Sequence, residues 1–323
     1  MNQNNKFDLH LHSGCSNDGE FSVNELLQMA NSQDYDYIAV CDHNTIAGVS
    51  AFLSLPPIAL KTRLIPGIEI DCAYQGKHLH ILGLGIKPER VVERNLFANH
   101  TKQESEQEKI RLLDLFRRAR AKGLLFDDDR VWMLAGVSGA SGAQRIPCIE
   151  VLAAALLEDP RNNDHPLLAP YRPRGPRSGM PEFYFYLDHG KKDGFLVTKR
   201  EYQDASWAIK TIHASGGKAI LAHPGGYHYF SPELLESLMN EGLEGLEVLS
   251  SYHDLAMSKD YFQLAKERKI FVSGGSDFHG RWKPTVKMGI EGASTSISTG
   301  TSTSKSAWLS QVLDDIFKLV KSL

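Results

Sequence analysis

Near its start the chain carries two histidines one residue apart, Asp8-Leu9-His10-Leu11-His12. Residues two apart on a strand point the same way. His10 and His12 would therefore present two imidazoles side by side, and imidazole suits zinc, iron and other transition metals. A single pair of this kind is equally well read as two ordinary surface or core histidines. The pattern recurs, though. Ser276-Asp277-Phe278-His279 sets a carboxylate and an imidazole two apart behind a predicted strand. Asp42-His43 ends another strand, Glu69 a third and His223-Pro224 a fourth, while His78 and His80 share one strand face. In parallel α/β barrels reactive groups gather at the C-terminal ends of strands. None of the cysteines, Cys15, Cys41, Cys72 and Cys148, fits the ligand pattern, so a closed structural zinc site is not expected. Mixed nitrogen and carboxylate donors suit an open catalytic cluster of zinc, manganese or iron. More donors than one ion needs imply two or three divalent ions, bridged by a carboxylate.

The elements that must position these groups alternate. Strands are predicted at 7–12, 37–41, 63–70 and 78–84, and again at 218–222, 243–249 and 270–273. Ser22-Val23-Asn24-Glu25 reads as a capping box opening a helix. Ser231-Pro232-Glu233 caps another helix, with proline at its first position. Helices are also predicted at 205–214 and 254–269. Strands separated by helices imply a parallel sheet with crossover helices. The middle of the chain has a different texture. A charged amphipathic helix is predicted over 102–122, with Ile110, Leu113, Phe116 and Ala119 on one side. Ser138-Gly139-Ala140-Ser141-Gly142 reads as a loop, and 149–157 as a helix. Residues 160–181 hold six of the chain's 14 prolines, which excludes regular helix and central strand. The expected organisation is an α/β barrel formed by 1–85 and 201–323, interrupted by a mainly helical insertion at 86–200. A Ser/Thr/Gly-rich loop at 292–306 would precede a last amphipathic helix at 308–320.

Composition narrows the class. In 323 residues, 42% are hydrophobic and 23% charged, enough to bury a core. Lys plus Arg is 36 and Asp plus Glu is 39, a net charge of −3, so no global basic field exists to hold duplex nucleic acid or an anionic membrane. The four cysteines form no C-x-x-C pair and no disulfide framework. The polar N-terminus is no signal peptide, no apolar run reaches about 20 residues, and a cytoplasmic location is expected.

Asp8-Leu9-His10-Leu11-His12-Ser13, Asn17-Asp18-Gly19, Asp42-His43-Asn44-Thr45, Pro66-Gly67-Ile68-Glu69, His80-Ile81-Leu82-Gly83, Ala222-His223-Pro224 and Gly275-Ser276-Asp277-Phe278-His279-Gly280 occur in that order along the chain. On these motifs the sequence resembles the polymerase and histidinol phosphatase (PHP) superfamily of metal-dependent phosphoesterases. The resemblance implies a distorted (β/α)7 barrel. It implies one metal held by His10, His12, Glu69 and Asp277, a second held by Glu69, His80 and His223, and a third held by Asp18, His43 and His279. Asp42 would support the site rather than ligate. The closer likeness is to the stand-alone branch that hydrolyses nucleotide phosphates such as 3′,5′-bisphosphonucleotides and trims short RNA from its 5′ end. In that branch an arginine opening an insertion helix faces the substrate phosphate, and Arg145 is the match.

The expected activity is hydrolysis of phosphate monoesters or diesters of nucleotides or short single-stranded oligonucleotides. A metal-bridging hydroxide would attack phosphorus in line, with Glu69 and Asp277 at the centre of the chemistry. Arg145 and Arg281 are the candidates for clamping a phosphate, and a solvated surface charge is the competing reading of each. His253, beyond a strand end, is a candidate for orienting substrate or donating a proton. His78 is read as support or packing. Phe183-Tyr184-Phe185-Tyr186 is read as insertion core, although Arg172, Arg174, Arg177, Lys191 and Lys192 nearby leave a nucleic-acid cleft open. The alternatives are a histidinol-phosphate-type phosphatase, an amidohydrolase-like barrel, for which no mid-chain lysine stands at a strand end, and a non-catalytic nucleic-acid-binding module. No membrane association is expected, and oligomeric state is not legible.

Overall fold

A computed structural model describes residues 6–55, 61–136, 145–191, 194–290 and 303–323. Strand β1 (Phe7–Leu11) is buried at every position, as a strand covered on both faces must be. Helix α1 (Val23–Ser32) starts at the capping box: Ser22 Oγ accepts from Glu25 N at 3.2 Å, and Ser22 N donates to the Glu25 carboxylate at 2.7 Å. Its buried face is Val23, Leu26, Leu27 and Ala30. Strand β2 (Tyr37–Val40), helix α2 (Ala47–Leu53) and strand β3 (Arg63–Tyr74) follow, and β2 pairs in parallel with both β1 and β3.

Here the chain departs from the expected all-parallel order. Gln75 and Gly76 turn with φ of 50° and 75°, and β4 (Lys77–Leu84) returns antiparallel along β3 from Tyr74↔Lys77 to Gly67↔Leu84. Two consecutive positive-φ residues are what a tight hairpin needs. Gln75-Gly76-Lys77 is a polar break that marks the turn, but the strand before it was expected to end at Ile70, four residues short of Tyr74, so the two strands did not read as a hairpin.

Helices α3 (Pro88–Arg94), α4 (Ala98–Ala121), α5 (Asp128–Ala135), α6 (Ile149–Glu158) and α7 (Pro181–His189) come next. The proline-rich stretch between α6 and α7 forms two short 3-10 turns, Pro160–Asn162 and Pro166–Tyr171. A separate apolar core joins Leu112, Leu115, Phe116, Leu152, Leu156 and Phe185, while Val91 and Phe97 pack into the barrel's core instead. The predicted face of α4 was rotated. Ile110 and Leu113 are 69% and 66% exposed, and the buried stripe is Leu112, Leu115, Phe116 and Ala119. Two overlapping apolar stripes exist in this helix, and only its packing partners choose between them.

Strand β5 (Gln203–Asp204) adds to β3 at Cys72 and Ala73. Then α8 (Ala205–Ala214), β6 (Lys218–Leu221), α9 (Pro232–Asn240), β7 (Gly245–Leu249), α10 (Leu255–Arg268), β8 (Phe271–Gly274) and α11 (Thr303–Ser322) complete the chain. The sheet runs β1-β2-β3-β4-β6-β7-β8, with β4 antiparallel to β3 and β6 and the other pairs parallel. The ring closes behind β8, where Asp277 N donates to His10 O at 2.8 Å and His12 N to Phe278 O at 3.0 Å. This is a distorted seven-stranded (β/α) barrel. The last helix begins earlier than expected, so 303–306 are helical. The remainder of the expected loop, the loop at 138–142 and Lys192 lie outside the described residues. No described helix is long and apolar enough to cross a membrane.

Candidate metal centre

Strand β1 sends His10 inward and hands the chain on to His12. The two Nε2 atoms face each other at 3.2 Å, both buried. Glu69 Oε2 lies 3.3 Å from His10 Nε2 and 3.1 Å from His12 Nε2; Asp277 Oδ1 lies 3.4 and 3.2 Å from the same atoms. Donors held about 2.1 Å from a tetrahedral ion stand about 3.4 Å from one another. The observed spacings, 3.1–3.4 Å, fit a small cation at the common centre.

Glu69 is not at a strand end, as the sequence suggested, but in the middle of β3, which runs on to Tyr74. It still reaches the mouth because β2 is short. Beyond the end of β2, Glu69 N donates to Asp42 O at 3.1 Å and Asn44 N to Glu69 O at 2.8 Å, which brings His43 alongside. His80 stands near the start of β4, and since β4 is antiparallel its start lies at the same mouth. Glu69 Oε1 is 2.8 Å from His80 Nδ1 and 3.1 Å from His223 Nε2. A third group collects at the open side, where Asp18 Oδ2 is 3.3 Å from His279 Nε2 and 3.6 Å from His43 Nε2. Four overlapping donor groups result: His10, His12, Glu69 and Asp277; Glu69, His80 and His223; His12, Asp18, His43 and His279; and His43, Asp71 and His80. His223 and Asp277 have φ of 26° and 59°, sparsely populated backbone that turns their side chains back over the barrel mouth.

Partners outside the cluster fix which nitrogen looks inward. His10 Nδ1 faces Glu247 at 3.1 Å, and His279 Nδ1 donates to Asp277 O at 2.8 Å, leaving Nε2 of each for the centre. Glu247 also accepts from His223 N at 2.7 Å. Asp8 holds Ser276 N and Oγ at 2.8 and 2.6 Å and so sets the turn that carries Asp277. Asp42 accepts from Ser13 N and Oγ at 2.7 and 2.8 Å, a supporting role.

Charge balances inside the cluster. Burial works to raise Glu69, but His80, His10 and His43 outweigh it and hold the carboxyl well below its ordinary range. Asp277 and Asp18 are likewise held low against burial, Asp277 by Lys283 and His279, Asp18 by His279 and His43. Burial opposes protonation of His12, yet Asp277 and Glu69 lift it to about 9; burial is likewise overcome at His80, which Glu69 and Asp71 lift to about 10. His279 goes the other way, to about 4, through burial and the cationic His12 and Lys283. Without a cation, protons must therefore neutralise these carboxylates, and bound metal would displace them.

Of the remaining candidates, His253 does not join the cluster. Its Nδ1 donates to Val248 O at 2.9 Å and its Nε2 accepts from Gly225 N at 3.0 Å, so neither nitrogen is free for proton transfer. Arg145 is turned to the backbone of the Asp18 loop, donating to Ser16 O at 2.9 Å, Asn17 O at 3.0 Å and Gly19 O. All three bonds come from Nη2, which holds that loop, while Nε is buried without a hydrogen-bond partner. Arg281 is exposed, lies over the Trp282 ring at 4.5 Å, and pairs loosely with Glu20. His78 stacks on Tyr202 at 4.0 Å. Among the basic residues of the proline-rich stretch, Arg172 donates to Asn162 O at 2.9 Å and Arg177 pairs with Asp188. Sequence reasoning missed Asp71, Glu247 and Lys283. Asp71, two residues after Glu69, shares its strand face, which was a usable signal. Glu247 and Lys283 had none.

The residues fit a metal. Glu69 Oε2, Asp277 Oδ1, Asp18 Oδ1, His43 Nδ1 and His279 Nε2 are buried without a hydrogen-bond partner, the state of donors awaiting a cation. A (β/α) barrel with such a mouth defines a metal-dependent hydrolase. The PHP domain model matches residues 8–269. The chain is 31% identical to a 5′-3′ exoribonuclease of Haemophilus influenzae, covering 85% of this chain and 90% of that one. It is 30% identical to a phosphoribosyl 1,2-cyclic phosphate 1,2-diphosphodiesterase of Eggerthella lenta (88% and 97% covered). It is 26% identical to a 3′,5′-nucleoside bisphosphate phosphatase of Chromobacterium violaceum (84% and 86%). A solved Bifidobacterium adolescentis structure shares the fold with a TM-score of 0.64 at 20% identity, covering 97% of this chain and 98% of that one. The chain belongs to the PHP domain family, and it is a phosphoesterase.

Proposed function

We propose that the protein hydrolyses phosphate esters of nucleotides or short single-stranded oligonucleotides, with 3′,5′-bisphosphonucleotides as the favoured class. Two or three divalent cations, manganese, zinc or iron, would serve it. The observation that carries the proposal is the sharing of donors: Glu69 and His12 each belong to two groups, so the groups adjoin as the parts of one polynuclear centre do. His10, His12, Glu69 and Asp277 would hold one ion, Glu69, His80 and His223 a second, and Asp18, His43 and His279 a third.

When bound, the cations supply acidic water and neutralise charge on a phosphate. The chain's part is to fix the donors. Glu247 sets the His10 tautomer, Asp42 and Asp8 fix the turns bearing Ser13 and Asp277, and Arg145 holds the loop that presents Asp18. Residues 1–85 and 201–323 would act as the catalytic barrel and 86–200 as an inserted wall that narrows the range of substrates. Buried thiols at Cys41 and Cys72 suit a cytoplasmic location.

The test is hydrolysis of nucleotides, oligonucleotides and sugar phosphates with added manganese, read as inorganic phosphate for monoesters and as product nucleotides separated by chromatography for diesters. The proposal expects nucleoside 3′,5′-bisphosphates or short RNA to lead; a preference for histidinol phosphate would contradict it. A cyclic phosphodiester is the second reading, favoured by the near-equal identity to the diphosphodiesterase, and chromatography of the products from a cyclic sugar phosphate separates the two.

A further inference from the structure

Lys283 lies beyond the last ligand-bearing turn and has no part in the donor groups. Its Nζ is 2.7 Å from Asp277 Oδ2 and 3.1 Å from the Tyr252 hydroxyl, and the side chain is 25% exposed. An ammonium has three N–H donors, so one is left over. Asp277 Oδ1, the other oxygen of the same carboxylate, faces His10 and His12. The Tyr252 ring is 37% exposed and lies 4.9 Å from the His223 ring. The pair therefore spans the rim from Asp277 in one donor group to His223 in another. Asp18 is the most open of the nine proposed ligands, with 31% of its side chain exposed.

We infer that Lys283 and Tyr252 form a nucleotide subsite: the ammonium receives a phosphate oxygen and the exposed phenol face stacks on the base. The inference rests on the reading that nucleotides are the substrate, and it adds the residues that recognise them. Lys283 is held by two partners, so little freedom is lost when the phosphate arrives. Its bond to an anionic oxygen would be charge-assisted. An aromatic face next to a cation binds any base, because every base has a π-face. The subsite would thus demand a base without selecting which.

The experiment compares a nucleoside 3′,5′-bisphosphate with the matching base-free ribose bisphosphate, by turnover and by calorimetric binding to the metal-loaded protein. Tyr252→Ala is expected to weaken nucleotide binding about tenfold, raising KM more than it lowers kcat, and to leave the base-free compound unchanged. Tyr252→Phe, which keeps the ring, should retain the preference. Assayed at saturating metal, since Lys283 also bonds the ligand Asp277, Lys283→Met should cut kcat/KM about 100-fold on both compounds, with partial recovery in Lys283→Arg. Equal losses of Tyr252→Ala on the two compounds, or an unchanged kcat/KM in metal-saturated Lys283→Met, would overturn the assignment. A wild type that binds the nucleotide through Tyr252 but releases no phosphate counts against the proposed function and not against the subsite. A wild type that binds no nucleotide overturns both.

Discussion

Glu69 shows how one side chain ties the centre together. Its Oε1 faces His80 and His223, while its Oε2 faces His10, His12 and His43. Glu69→Gln keeps the shape and removes the charge. Loss of an outer partner of a metal ligand costs about 10–100-fold, and this change, at a shared ligand, is expected to cost more in both metal content and phosphate release. Elemental analysis alongside turnover checks it. Glu247→Gln removes the carboxylate facing His10 Nδ1 and is expected to weaken metal affinity within that 10–100-fold range, read by competition with a metal-sensitive dye; unchanged affinity would show that the tautomer needs no such partner. The histidines were legible because ligands two apart on a strand leave a period-2 signature. Glu247 was not, since a lone carboxylate between Leu246 and Val248 carries no spacing signal and acts only across strands. Arg145 stood out by its type, but nothing in the sequence says that its Nη2 holds the backbone of the Asp18 loop.

At the scale of elements, the close approach of β1 to the turn after β8 sets the first donor group. A Cβ on Gly275 would stand 2.3 Å from His10 Cβ and 2.4 Å from His10 N. Gly275→Ala is expected to destabilise the protein by about 1–3 kcal/mol and to loosen metal binding, measured by urea unfolding and metal titration. A second junction links α4 to β3: Arg200 pairs with Glu104 and, at 3.0 Å, with Asp71, which lies 2.9 Å from His80 Nε2. Arg200→Met strands buried carboxylates and is expected to cost about 3 kcal/mol and to lower metal content through His80. Helix caps and the strand-helix rhythm could be read in advance because they are local. The buried face of α4 could not, since it depends on which distant element arrives, whereas the antiparallel run of β4 follows from a local turn at Gln75 and Gly76.

For the whole molecule, ten donors from distant parts of the chain make stability depend on what neutralises them. In the chelated protein His12 and His80, lifted from about 6.5 to about 9 and about 10, contribute stability that is whole below about pH 6.5 and is lost as pH rises through those values. The melting temperature of chelated protein should therefore fall between pH 6.5 and 10, and fall less when manganese replaces the protons; parallel curves would contradict this. The most direct test strips the protein with a chelator and titrates manganese back, counting tightly bound ions per chain while following phosphate release from a nucleoside 3′,5′-bisphosphate. The account predicts two or three ions, with activity returning as they bind. A stripped protein that still releases phosphate at the full rate, or one that takes up no ion, would contradict it.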